Sequence, residues 1–239
     1  MNRVLSLHIV RACAVALLLG TASSTHAGGD PERSLFDDNF NNEPLDQPIG
    51  AGGPELGEPV DVYFGLSAII RGAPRPTPAL ELAQTLLGLS RTVRFEFLGG
   101  EEVTHGDLNF RLTLYAQQLD FYTVYVREPG SSAQPFLTMT LEPSGNIAVS
   151  DKSGSSGFVG TYTAATDHVF VVKYHMDLGT YDLEMDSLPL LTGRAHGVTG
   201  HGIGALLVGV SDTTLLTSRL YVDRIHVTRG DAVFTNGFE

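Results

Sequence analysis

The sequence contains no tryptophan, and its single cysteine, Cys13, lies near the N-terminus. Because Cys13 falls inside a segment that we predict to be removed, the remaining chain has no thiol for nucleophilic or redox chemistry. For the same reason it has no disulfide. Tryptophan is the largest aromatic ring on which a sugar can stack, so any sugar contact must use tyrosine or phenylalanine instead.

Basic residues are scarce: 15 lysines and arginines stand against 27 aspartates and glutamates. Arg3 and Arg11 lie in the predicted leader, which has no acids, so 13 basic and 27 acidic residues remain, a net charge of −14. Nucleic acids and anionic lipids are bound by clustered lysine and arginine. We therefore expect no nucleic-acid partner. A soluble secreted protein, or one that holds a cation with some of its acids, fits this charge.

No apolar run reaches the roughly 20 residues that a membrane-spanning helix needs. The run at residues 12–19 follows Arg3 and Arg11 and precedes a small-x-small sequence that ends at Ala27. This order is typical of a secretory signal peptide. We predict cleavage after Ala27 and an exported protein, periplasmic or extracellular, without a membrane span. The leader and the lack of disulfides indicate a bacterial origin.

The chain beyond the leader is long enough for one large β domain that buries its own core. We divide the sequence into a signal peptide at 1–27, a lead-in at 28–34, a β-sandwich domain at 35–229 and a C-terminal tail at 230–239. No internal repeat or further domain boundary is visible.

Short segments of alternating apolar and polar residues dominate the predicted domain. In TVRFEFLGG, Val93, Phe95 and Phe97 face one way, and Arg94 and Glu96 face the other. The same period recurs in LNFRLTLYA, FYTVYVRE, FLTMTLEP, HVFVVKYHMD, TYDLEMD and RLYVDRIHV, with glycine, proline and serine clusters between them. This pattern predicts an all-β protein, an antiparallel two-sheet β-sandwich. The segment ALELAQTLLGLS is compatible with either a helix or a buried strand.

The phrases LFDDNFNNEPLDQPIG, HMDLGTYDLEMDSLPLL and LYVDRIHV carry a resemblance to known proteins. Between about Leu35 and Thr228 the chain resembles the concanavalin A-like lectin/glucanase superfamily, including laminin-G-like jelly rolls. The resemblance implies two antiparallel sheets packed face to face, with the first and last strands side by side. It also implies a concave sheet that binds or cleaves glycans in many members, whereas others are adhesive or structural. The final VFTNGFE resembles C-terminal tails of exported bacterial proteins, which implies a sorting or processing tag. The alternative interpretation is a frayed terminus with a chance match.

Three acids alternate with apolar residues in GTYDLEMDSLP: Asp182, Glu184 and Asp186. Laminarinase-like glycanases carry Glu-x-Asp-x-Glu in a similar phrase, and here the short and long acids are exchanged. Positions i and i+4 lie ~13 Å apart along a strand, whereas glycosidase carboxyl groups lie ~5 Å or ~6.5–9.5 Å apart. The three acids are therefore low-ranking catalytic candidates. Their alternatives are a contact to a ligand or cation and the solvent face of a strand.

The closing phrase LYVDRIHV places Asp223 in an unexpected position. Strand alternation puts it on one face with Tyr221, Ile225 and Val227. A carboxylate in such an apolar series needs a hydrogen-bond donor, a basic partner or a metal ion, because an unpaired buried charge is costly. Arg219 is one candidate partner.

The opening strand supplies further oxygen ligands in Asp37, Asp38 and Asn39. In β-sandwich binding modules an aspartate of the closing strand often joins oxygens of the opening strand around a structural calcium ion. Ca²⁺ prefers such carboxylate and amide oxygens. We therefore predict that Asp223, Asp37, Asp38 and Asn39 form a structural calcium site, and we predict no other cofactor.

The sequence offers no catalytic set with suitable spacing. It has no G-x-S-x-G nucleophile elbow and no phosphate-binding glycine loop. We therefore expect a monomeric binding or adhesive module for a glycan or a cell-envelope surface, and not an enzyme. A secreted glycan hydrolase or lyase centred on Glu184 is the first alternative. A structural surface protein without a ligand is the second.

Overall fold

The computed structural model describes residues 32–50, 52–86, 91–130, 135–211 and 216–230. The predicted signal peptide, most of the lead-in and the tail beyond Gly230 lie outside the described residues. No helix in the described part of the chain is long and apolar enough to cross a membrane.

The described residues are built from β-strands and two short 3-10 helices, at Leu98–Gly100 and Met176–Leu178. The first strand begins at Arg33, inside the segment predicted as a lead-in. In chain order the strands are β1 (Arg33–Asp38), β2 (Asp61–Val62), β3 (Leu66–Arg71), β4 (Ala79–Gln84), β5 (Arg91–Glu96), β6 (Asp107–Ala116), β7 (Tyr122–Arg127), β8 (Leu137–Leu141), β9 (Asn146–Asp151), β10 (Ser156–Thr161), β11 (Asp167–His175), β12 (Thr180–Met185), β13 (Leu188–Ala195), β14 (Ala205–Val210) and β15 (Leu220–Gly230).

The strands form two antiparallel sheets, which confirms the predicted β-sandwich. The eight-stranded sheet has the order β13-β12-β11-β6-β15-β4-β3, and β1 also pairs with β15. The seven-stranded sheet has the order β10-β9-β8-β7-β14-β5-β2. Asp37 of β1 lies opposite His226 of β15. The first and last strands are therefore neighbours, as the resemblance implies.

The core lies between the two sheets and is filled by every second residue of each strand. On β6, Leu108, Phe110, Leu112 and Leu114 are buried, and the residues between them are less buried or exposed. Aromatic rings link the sheets: the ring centroids of Phe36 on β1 and Phe95 on β5 lie 5.5 Å apart in an edge-to-face contact. Such offset contacts add to the free energy of burial. The alternation in the sequence therefore predicts the core side of each strand.

The ambiguous ALELAQ segment is strand β4, flanked by β3 and β15. Most of its residues are buried on both faces. A strand covered on both sides loses the apolar–polar alternation that marks a half-exposed strand. Periodicity alone therefore could not separate it from a buried helix.

Candidate functional site

The acids of the YDLEMD segment lie on an edge hairpin of the eight-stranded sheet, formed by β12 and β13. The residues that alternate with Asp182 and Glu184 face the core more closely than the acids do. Each acid has a basic neighbour on β11. His175 Nε2 lies 3.3 Å from Asp182 Oδ2, and Lys173 Nζ donates to Glu184 Oε1 at 2.7 Å. These two acids are therefore members of surface ion pairs.

Asp186 lies beyond the end of β12. Asp186 and Ser187 have φ values of 52° and 67°, which is the left-handed geometry of a two-residue hairpin turn. The Asp186 side chain accepts the Val169 N–H at 2.8 Å and lies 2.8 Å from His168 Nδ1. Strand β12 ends at Met185. Asp186 therefore stabilises the turn and does not lie on the same strand face as Asp182 and Glu184.

Hydrogen bonds keep Asp182 ionised. The Gly193 N–H donates to Asp182 at 2.6 Å, and this bond holds the pKa of Asp182 below its usual range. The hydrogen bond to Asp107 at 3.0 Å, helped by Asp182, raises the pKa of His175. Asp182 is therefore a poor proton donor at neutral pH. The hypothesis of a catalytic role for Glu184 stays a prediction.

Asp223 sits in a β-bulge of the closing strand. The pairing of β15 with β6 shifts register between Val222 and Arg224, so the alternation on which the sequence interpretation relied is interrupted there. Asp223 is partly exposed and lies 3.1 Å from Arg75, and Thr77 Oγ1 donates to it at 2.9 Å. The prediction that Asp223 lies in the apolar series is wrong, because the bulge turns it away from the core.

The other three residues of the predicted calcium site have separate partners. Asp37 lies 3.3 Å from the guanidinium of Arg224. The Asn39 side chain accepts a main-chain N–H of the following turn. Asp38 is buried, and the Phe40 N–H donates to it at 2.8 Å. Burial raises the pKa of Asp38 to about 7. Asp38 is therefore the one acid of the predicted site that lacks a basic partner among the described residues.

No group of three or more histidine, cysteine, aspartate or glutamate side chains in the described ranges is placed to hold a metal ion by itself. Asp223 and Asp37 are instead paired with arginines. The predicted set of Asp223, Asp37, Asp38 and Asn39 as a calcium site stays a prediction.

A shallow groove of about 250 Å³ lies on the outward face of the seven-stranded sheet, where β8, β9 and β10 run side by side. We call this surface the groove face. Thr138 pairs with Ser150, and Thr140 pairs with Ala148, so two hydroxyl-bearing strands form its floor. Phe158 of β10 stands at its side with 69% of its surface exposed. The groove lining is completed by Glu142, Val149, Ser156 and Gly157.

Two tyrosine–arginine pairs lie on or next to strands of the same sheet, outside the groove. Tyr125 of β7 lies opposite Thr138, and the Arg127 guanidinium lies 5.2 Å from the centre of its ring. Arg94 of β5 lies 5.5 Å from the centre of the Tyr63 ring. Because guanidinium groups stack on aromatic faces, each arginine helps to hold its tyrosine in place.

No protein-family model matches the sequence, and no relative was found among curated proteins. Solved structures do match. A sialidase superposes with a TM-score of 0.56 and 12% identity over 72% of this chain. The conserved carbohydrate esterase of Shiga toxin-encoding bacteriophage phi24B gives 0.54 and 10% over 84% of this chain and 100% of its own. The carbohydrate recognition domain of Emp47p gives 0.50 and 10% over 85% and 100%.

The chain has the concanavalin A-like lectin fold. This confirms the fold that the sequence resemblance implied. The chain spans 17% of the length of the sialidase that it matches. At identities this low the likeness shows the fold and leaves the activity to be argued from the site.

From the sequence we expected a sugar to contact tyrosine or phenylalanine on a concave sheet, but the sequence did not single out Phe158. The alternation in FLTMTLEP does place Thr138 and Thr140 opposite the core. Phe158, however, follows the SGSSG run, which is typical of a loop. The structure makes part of this run the edge strand β10. Sequence periodicity gives no sheet order, so it could not show that β8, β9 and β10 form one groove.

Proposed function

We propose that the protein is an exported, monomeric module that binds a glycan or a cell-envelope polysaccharide through the groove face. The observation that carries the proposal is the exposed Phe158 ring beside a row of hydroxyl side chains. The matched structures include a carbohydrate esterase and a carbohydrate recognition domain, which supports the proposal. The predicted signal peptide supports a periplasmic or extracellular location.

The chemistry of the groove face suits a sugar. A sugar ring has an apolar C–H face, which can lie on Phe158, and polar edges that donate and accept hydrogen bonds. The hydroxyls of Thr138, Thr140 and Ser150 also donate and accept. Binding sites commonly combine an apolar wall with a few polar groups in this way. Because the groove is open, a polymer can pass along it.

The groove face supports binding better than cleavage. Glu142 is the only carboxylate among its described lining residues, and Ser144 Oγ donates to it at 3.2 Å. Glycoside hydrolysis generally uses two carboxyl groups on either side of the scissile bond. Glu184, the centre of the alternative hydrolase hypothesis, lies on β12 of the other sheet.

The test is a pull-down of the purified protein on insoluble polysaccharides and bacterial cell envelopes, with released reducing ends and unsaturated products monitored. We expect binding to a subset of these materials without release of sugar. Release of sugar would support the hydrolase or lyase alternative. Absence of binding to every polysaccharide and envelope would contradict the proposal and favour a structural surface protein.

A further inference from the structure

The groove face carries charge of one sign only. Its nine described lining residues include hydroxyl side chains, the exposed Phe158 ring and a single charged side chain, that of Glu142. None of the nine is a lysine, an arginine or a histidine. The internal residues outside the described ranges, at 51, 87–90, 131–134 and 212–215, include no basic residue either. The groove therefore offers a ligand hydrogen-bonding groups and one negative charge.

Glu142 follows β8 directly, and its main chain is fixed at that end of the groove. Its N–H donates to the Asn146 carbonyl at 2.9 Å, and its own carbonyl accepts the hydroxyl of the buried Tyr162 at 2.9 Å. Glu142 is partly exposed. None of the ion pairs in the described part of the chain includes it. The carboxylate is therefore held beside the groove without a counter-charge.

Two basic residues border the other end of β8, and both contact aromatic rings. Arg127 ends strand β7, with its guanidinium 5.2 Å from the centre of the Tyr125 ring. Lys152 follows strand β9, with its ammonium 4.8 Å from the centre of the Phe136 ring. Strand β8 has five residues, so its two ends lie ~13 Å apart. These cations are therefore separated from Glu142 by the length of the groove floor.

This charge distribution discriminates between classes of sugar. A protein that binds a carboxylate or sulfate group commonly places arginine or lysine against it. In the groove such a group would meet Glu142 and no basic lining residue. An uncharged sugar presents only hydroxyl and similar neutral groups. A sugar hydroxyl that donates to a carboxylate forms a stronger hydrogen bond than one that donates to a neutral oxygen.

We propose that the groove face selects uncharged glycans and that Glu142 sets this specificity. Glu142 accepts hydrogen bonds from sugar hydroxyls and repels the carboxylates and sulfates of acidic polymers. Specificity of this kind combines an attraction for one ligand with a repulsion against its competitor. The inference rests on the proposed function, to which it adds the chemical class of the ligand and the residue that determines it.

The test compares pairs of polysaccharides that share a backbone and differ in charge. Each polymer retained in the pull-down is paired with its carboxymethylated derivative if it is neutral, or with its carboxyl-reduced or desulfated derivative if it is acidic. We expect the wild-type protein to bind the neutral member about tenfold or more tightly at low salt. The preference should shrink between about 0.01 M and 1 M salt, because salt screens the repulsion.

Glu142→Gln keeps the size of the side chain and removes its charge. We expect this variant to bind the neutral polymer a few-fold more weakly and to lose most of the preference for the neutral member. Glu184→Gln is the matched control, because it makes the same change on β12 of the other sheet. It should retain the wild-type preference.

The outcomes separate this inference from the proposed function. Tighter or equal binding of the charged member, in binding that Phe158→Ala weakens, would overturn the inference and leave glycan binding at the groove face in place. This comparison in the wild type does not depend on Glu142→Gln folding. An unchanged preference in Glu142→Gln would overturn the role of Glu142. Absence of binding to every polymer would overturn the proposed function and the inference with it.

Discussion

The outward faces of the two sheets differ in how their polar groups are satisfied. On the eight-stranded sheet, Asp182 and Glu184 each contact a basic side chain of β11. On the groove face of the seven-stranded sheet, the polar groups are mainly hydroxyls, and Phe158 stands exposed beside them. The charged side chains of the eight-stranded sheet are thus already paired with basic neighbours.

A row of acids is therefore a weak indicator of a site unless its members lack partners. Asp182 and Glu184 are satisfied by neighbours across a strand pair, whereas Asp38 and Glu43 are buried with an oxygen free. Paired surface charges contribute little to stability or binding.

The largest effect is expected for the ion pair between Arg194 and Asp151, which is more buried than the surface pairs of Asp182 and Glu184. Arg194 Nε lies 2.7 Å from Asp151 Oδ2, and the Asp151 side chain is completely buried. Arg194→Met removes the counter-charge of that carboxylate, which keeps hydrogen bonds from the Tyr181 hydroxyl and the Ser153 N–H, so we expect a loss of about 2 kcal/mol in the free energy of unfolding. Equilibrium denaturation in urea measures this loss. A loss below about 1 kcal/mol would place the buried pair with the surface pairs.

The next effect concerns the exposed aromatic ring of the groove face. Phe158→Ala should weaken binding to the polysaccharide found by pull-down about tenfold or more, while stability changes by at most about 0.5 kcal/mol. Leu188→Ala is the matched control, because Leu188 lies on the edge strand β13 of the other sheet and is 66% exposed. If both variants bind like the wild type, the two faces are equivalent and the groove face is not the binding surface.

A smaller effect is expected from His175, whose pKa is raised by hydrogen bonds to Asp107 and Asp182. A raised pKa in the folded state means that this contribution to stability is present below pH ~6.5, the unfolded value. It is lost as the pH rises through the folded value. Because the pair is partly exposed, we expect about 1 kcal/mol or less between pH 5 and pH 9. Urea denaturation of His175→Gln should lack this component; an unchanged pH profile would contradict the pairing.

The smallest effect is expected at the centre of the acidic row. Glu184→Gln removes one charge of a half-exposed pair with Lys173, so stability should fall by about 0.5 kcal/mol or less. Glycan binding should be unchanged, as measured by the same pull-down. A large loss of glycan binding in this variant would contradict that expectation. Sugar release by the wild type that this variant lacks would support the hydrolase or lyase alternative centred on Glu184.

The sequence predicts the strands and their core faces well, because alternation is a local property of each segment. It could not predict where alternation breaks. The turn at Asp186 and Ser187 and the bulge at Asp223 depend on pairing with other strands. The same holds for Glu43, whose burial depends on how the loop after β1 packs. The fold could therefore be predicted from the sequence. The candidate sites could not, because locating them requires knowing which residues pair between neighbouring strands.

Hydrogen–deuterium exchange with and without the polysaccharide found by pull-down distinguishes the outward faces of the two sheets as the binding surface. We expect slower exchange in β8, β9 and β10, which border the groove face, and unchanged exchange in the β12–β13 hairpin. Protection confined to the β12–β13 hairpin, with β8, β9 and β10 unaffected, would contradict binding at the groove face and place the ligand near Asp182 and Glu184.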